Sequence, residues 1–130
     1  MTNVVVHEVW AVGMHHWGSK ELSVDSVYKL RAERYHPKDK NAIAIEEQSP
    51  PYKKRAYVIK EMAEKLQPVL THCPCILKSA TLKVESHPVV KCHEKGPQQY
   101  CCVYLQAAKH KELHLEHILN ENNICYTIEE

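Results

Sequence analysis

Most of the features that disclose a function at a glance are missing from this sequence. No run of about 18 apolar residues is present, so nothing in it reads as a membrane-crossing helix, and the first residues show none of the charged, apolar and cleavage regions of a secretory signal. The expectation is an intracellular protein, nuclear if the source is eukaryotic, with no membrane partner. The formal net charge is only +1, which removes global attraction to a polyanion as the main basis of function. Glycine is scarce, with three residues, and no Gly-rich phosphate loop, Ser elbow or motif-spaced pair of acids occurs. No enzyme is indicated, no catalytic residue is nominated and no cofactor is called for.

What is present fits one domain. At 130 residues the chain is long enough for an ordinary core. Its six cysteines read as reduced thiols, because nothing marks the chain for export. Charge is uneven. Between Tyr28 and Lys65 ten Lys and Arg face six acids, an excess of four positive charges, and the remainder is net acidic. The middle of the chain therefore offers a basic face to a polyanion that its ends do not.

The centre of interest is residues 30–45. Tyr28, Leu30 and Ala32 share one side of an alternating pattern and Lys29, Arg31 and Glu33 the other, the period of a half-buried strand. Pro37, Asp39 and Asn41 then supply turn chemistry, since Pro fixes φ and Asx side chains bond local amides. Ala42, Ile43, Ala44 and Ile45 restart an apolar run. The unit reads strand, polar elbow, strand, and the elbow carries Arg34, His36, Lys38, Asp39 and Lys40.

Around it, residues 4–12 are Val-rich and predict a buried strand, ending at Gly13. Gly13 and Gly18 bracket Met14, His15, His16 and Trp17, either a ring-bearing contact surface or a loop in which Trp17 caps the core. Ile59, Met62, Ala63, Leu66 and Leu70 recur at helical spacing behind Ala56–Val58, with Pro68 expected to stop or kink that helix. Residues 76–84, 100–106 and 124–128 predict strands, residues 86–99 a long connection, and residues 109–119 a helix. About six strands and one or two helices, without βαβ alternation, describe a mainly β protein, an OB-like small β-barrel.

Soft ligands gather in the second half: His72, Cys73 and Cys75, then Cys92 and His93, then Cys101 and Cys102. Structural zinc ordinarily takes two Cys separated by two to four residues, twice over. Here the first pair is separated by one residue and the last is vicinal, so no metal ligand is nominated, and a zinc-stabilised adaptor stands as an alternative. Single-stranded nucleic acid is held by basic grooves with rings on which bases stack, and both ingredients occur here.

Three segments, in order, resemble the HIRAN domain family. Leu30 and Arg31, then the run from His36 to Ile45, resemble its signature Leu-x-Arg followed by Asn-Pro-x-Asp-x-Asn-Ala-Ile-x-Val. Residues 11–18 resemble its Val-Val-Gly-Leu-Arg-Tyr-Tyr loop, and residues 56–63 its Gly-His-Leu-x-Lys-Glu-x-Ala helix entry. The best match spans 9–106 of a single HIRAN-like domain, 1–130, and 107–130 has no counterpart. The resemblance implies a compact OB-like barrel with two helices that grips the 3′ end of single-stranded DNA without catalysis, in DNA repair, with other proteins of DNA metabolism as further partners. By position it implies that Asp39 takes the terminal hydroxyl and that His15, His16, Trp17, His36, Lys38, Tyr57 and Lys60 complete the nucleic-acid site. Lys38 stands where the family has Tyr, His36 where it has Asn, His16 where it has Tyr and His15 where it has Arg. The last change implies binding that tightens as pH falls through about 6.5. A protein-interaction module on the same fold, without end recognition, is the other alternative.

Overall fold

A computed structural model describes residues 1–14, 21–33, 35–71, 77–87, 89–90 and 97–129, without the side chains of 89, 90 and 97. The described chain runs β1 (Thr2–Val12), β2 (Val27–Ala32), β3 (Ile43–Glu46), β4 (Lys54–Val58), α1 (Lys60–Thr71), β5 (Leu77–Val84), β6 (Val89–Val90), β7 (Pro97–Ala107), a 3-10 turn (Lys109–Lys111), α2 (Glu112–Glu121) and β8 (Tyr126–Glu129). Strands β7, β5, β2, β3, β4 and β1 are hydrogen-bonded in that order, and β1 returns to β7, so six strands close a barrel. β6 and β8 attach at its margins. This is the mainly β, OB-like barrel with two helices that the sequence predicts.

Closure depends on how β1 bends. The strand pairs with β7 from Thr2 to Ala11, with its register slipping between Val6 and Val9. In that bulge Glu8 takes φ 59°, a left-handed conformation uncommon for a residue with a Cβ. Its amide is satisfied by the Tyr100 hydroxyl at 3.2 Å. Beyond the bulge, Ala11 and Val12 reach β4, while Asn3–Val6 before it carry β8. One long strand thus serves three partners because a bulge re-aims its second half.

Inward residues of the barrel strands meet in one core, with Val4, Val6, Val9, Ile43, Ile45, Leu82, Val103 and Leu105 all fully buried. α1 adds Ala63, Leu66 and Val69, and α2 adds Leu115, Ile118 and Leu119. The stretch that matches no motif therefore contributes to the same core, through Ala107, Leu115, Ile118, Leu119 and Ile124, and β8 is paired to β1.

Several local readings change. Ala56–Val58 belong to β4, not to the approach of the helix, because Ala44 and Ile45 of β3 pair with Tyr57 and Ala56. Pro68 neither stops nor ends α1, which continues to Thr71. Near a C-terminus the amide that Pro lacks costs one bond only, and the Thr71 hydroxyl donates to the Pro68 carbonyl at 2.8 Å. β7 begins at Pro97, within the stretch expected as a connection, and β6 pairs with it. Among the described residues no helix is long and apolar enough to cross a membrane.

Candidate nucleic-acid interface

The elbow between β2 and β3 is closed at its base by the Glu33 amide donating to the Ala42 carbonyl at 2.8 Å. Inside it, His36 organises the backbone. Its Nδ1 accepts from the amides of both Lys38 and Asp39, each at 3.1 Å. An imidazole nitrogen that accepts is unprotonated, so the ring is the neutral tautomer with its proton on Nε2. Asp39 Oδ1 accepts from the Asn41 amide at 2.9 Å, an Asx turn, and the Ala42 amide donates to the Asp39 carbonyl at 3.1 Å. Only one carboxylate oxygen of Asp39 is engaged among the described residues. The charged elbow of the sequence is thus a hydrogen-bonded frame in which Pro37 and Asn41 shape the bend and Asp39 is held half-buried.

β4 and the start of α1 supply the facing wall. The Tyr57 ring stands edge-on to His36, with centroids 5.7 Å apart and planes at 86°. A cavity of about 200 Å³ lies between, lined by Val12, His36, Asp39, Ala42, Tyr57, Val58 and Lys60. Sequence-predicted site residues from three separate segments meet there: His36 and Asp39 from the elbow, Tyr57 from β4, and Lys60 from the first turn of α1. Lys38 is exposed on the elbow and lines neither this cavity nor its neighbour. His15, His16 and Trp17 lie outside the described residues.

On the other side of the His36 and Tyr57 rings is a second cavity, of about 420 Å³, whose walls include Arg31, Glu33, Tyr35 and Lys54. The sequence did not single these out as site residues. Its floor is an ion-pair cluster. Lys54 Nζ bonds both Glu33 oxygens, at 3.1 and 3.0 Å, and the Tyr57 hydroxyl at 2.8 Å. Arg31 Nε bonds Glu46 at 2.7 Å and its Nη2 lies 3.5 Å from Glu33. Burial would raise the Glu33 carboxyl, but hydrogen bonds from Tyr57 and Lys54, with the charges of Lys54 and Arg31, hold it below the usual carboxylate range. Burial works the other way on Lys54, where bonds to Tyr57 and Glu33 win and the ammonium is held above its ordinary value. Burial and the Glu33 carboxylate push the Tyr57 phenol up despite Lys54, so Glu33 and Lys54 are ionised and Tyr57 is neutral at pH 7. Tyr35 stands at the lip, 97% exposed. An aromatic in a polar turn with no apolar neighbour was its one signal in the sequence.

Among the described residues the cysteines take no part in this interface. Cys101 and Cys102 lie buried in β7. Burial, with the neighbouring Cys102, pushes the Cys101 thiol up to about 12; burial and Glu85 push Cys102 to about 11. Both are protonated at neutral pH, whereas a nucleophile needs the thiolate. Among the described residues no three metal-ligating side chains cluster; His72, Cys73, Cys75, Cys92 and His93 lie outside them.

A closed six-strand OB-like barrel, with a framed elbow that holds Asp39 facing a Tyr and a Lys across a small cavity, defines the class. The chain is similar to a solved structure, the HIRAN domain of human HLTF, at a TM-score of 0.67 and 12% sequence identity, covering 93% of this chain and 92% of that one. No protein-family model matches the sequence, and a search of curated proteins finds no match. The likeness is one of fold, and it extends the resemblance from three motifs to nearly the whole chain.

Proposed function

We propose that this chain is a recognition module for nucleic acid that grips the 3′-hydroxyl end of single-stranded DNA and carries out no bond-making of its own. The observation that carries this reading is the convergence of His36, Asp39, Tyr57 and Lys60 on one cavity. Asp39 is the acceptor for a terminal hydroxyl, because one of its oxygens is spent on the Asx turn and the other has no partner among the described residues. Lys60, exposed at the start of α1, holds the adjoining phosphate. His36 and Tyr57 form the wall, and His36 presents Nε2–H as a donor.

The departure at His36 supports the reading. Its Nδ1 accepts the same kind of backbone bonds that an Asn carboxamide oxygen would accept at that position, so the exchange preserves the frame. Lys38, away from both cavities, does not obstruct them.

The test is fluorescence anisotropy on a short labelled oligonucleotide ending in a 3′-hydroxyl or a 3′-phosphate. The hydroxyl end should bind about 10-fold or more tightly, because a carboxylate that accepts a hydroxyl proton repels a phosphate dianion. Asp39→Asn, which keeps an oxygen for the Asx turn, should abolish that preference. Equal affinity for the two ends would remove end recognition, and no binding to either would point to a protein partner.

A further inference from the structure

We propose that the cavity beyond the His36 and Tyr57 rings is a second nucleotide subsite, in which the base next to the terminal one stacks on Tyr35. The proposal rests on the end-gripping reading above and extends it by one residue of the ligand.

The two cavities share His36 and Tyr57 as their common wall, so a chain leaving the first passes directly into the second. At about 420 Å³ the second is the roomier. Its chemistry selects a base over a phosphate. Two cations, Arg31 and Lys54, and the Glu33 carboxylate line it, bonded to one another, and Arg31 is paired in turn with the buried Glu46, which does not line the cavity. Lys54 spends its three ammonium protons on Glu33 and Tyr57. A floor that neutralises itself leaves no excess charge for an anion, and it holds its shape without a ligand.

What remains unspent is the Tyr35 ring. Aromatic side chains ordinarily stabilise a fold by burying their faces; this one is 97% exposed and shows no side-chain partner among the described residues. The elbow frame holds its backbone, with the His36 amide donating to the Glu33 carbonyl at 3.2 Å. An exposed ring at the lip of a cavity whose charges are paired is a platform for stacking, which tolerates any base because every base has a π-face.

The test uses the full chain and a short 5′-labelled oligothymidylate with a 3′-hydroxyl, alongside the same oligonucleotide with an abasic residue in the penultimate position. Tyr35→Ala should weaken binding of the intact oligonucleotide about 5- to 150-fold, with an unchanged melting temperature and an unchanged salt dependence. Tyr35→Phe should keep wild-type affinity. The abasic oligonucleotide should lose a comparable factor with the wild type and little more with Tyr35→Ala, since both changes remove the same contact. Full additivity of the two losses, or no loss from either while the wild type still prefers a 3′-hydroxyl, overturns the subsite and leaves the end-gripping reading standing. Failure of the wild type to bind the intact oligonucleotide overturns both.

Discussion

At the scale of single residues, His36 explains why an altered signature still builds the same kind of bend. Its unprotonated Nδ1 sits in reach of two successive backbone amides, those of Lys38 and Asp39, and thereby fixes where the Asp39 carboxylate stands. Asn offers an acceptor of similar reach, and Ala offers none. His36→Asn is therefore expected to keep both the melting temperature and affinity for a 3′-hydroxyl oligonucleotide close to wild type. His36→Ala leaves two amides without their partner, at about 0.5–1.5 kcal/mol each, and should weaken binding about 10-fold as Asp39 loses its place. Thermal melts and anisotropy on the two variants check this, and a His36→Asn variant as weak as His36→Ala would show that the ring rather than its acceptor matters.

At the scale of elements, β2 and β4 are tied where they flank β3 by Glu33 from the end of one and Lys54 from the start of the other. Glu33 has a carboxyl held below its ordinary value of about 4.5 in the folded state. The sign follows from linkage: the ionised form is bound better in the fold, so this contribution is fully present above about pH 4.5 and is lost as pH falls through the lowered folded value. Urea midpoints measured at pH 6 and pH 3 should therefore fall further for the wild type than for Glu33→Gln, which has no charge to lose. Equal falls would remove the tie. Elements of this kind were partly legible beforehand. β2 and β3 announced themselves through Leu30 and the Ala42–Ile45 run, and α1 through Ile59, Ala63 and Leu66. β4 did not, because Lys54 and Arg55 look like a solvated charge run, when each in fact has a carboxylate partner, Glu33 and Glu47. The start of β7 was hidden likewise by Gln99, a polar residue that is fully buried because its carboxamide bonds Leu22 and Ser86. In both cases the missing information was a partner distant in sequence, which periodicity cannot supply.

At the scale of the whole molecule, the same pairings change what the basic middle stretch means. Counted along the chain it carries an excess of four positive charges, the signature of a surface that tracks a polyanion over many phosphates. In the fold, Arg31, Lys54 and Arg55 are ion-paired to Glu46, Glu33 and Glu47 respectively, and Lys65 lines a different cavity and reaches the Asn123 carbonyl at 3.5 Å. Among the described residues, the exposed cations beside the candidate site that make no ion pair are Lys38 and Lys40 on the elbow and Lys60 at the cavity. A module that grips an end through one to three phosphates releases few counterions, at about 0.7 per phosphate on a single strand. The logarithm of its binding constant should therefore fall against the logarithm of salt concentration with a slope between about −0.7 and −2. Lys60→Ala should make that slope shallower by about 0.7, whereas Tyr35→Ala should leave it alone. Anisotropy titrations over a series of salt concentrations measure both. A wild-type slope of about −4 or steeper would require more phosphates than these lysines reach, and would turn the reading from a grip on a DNA end to a groove that follows the strand.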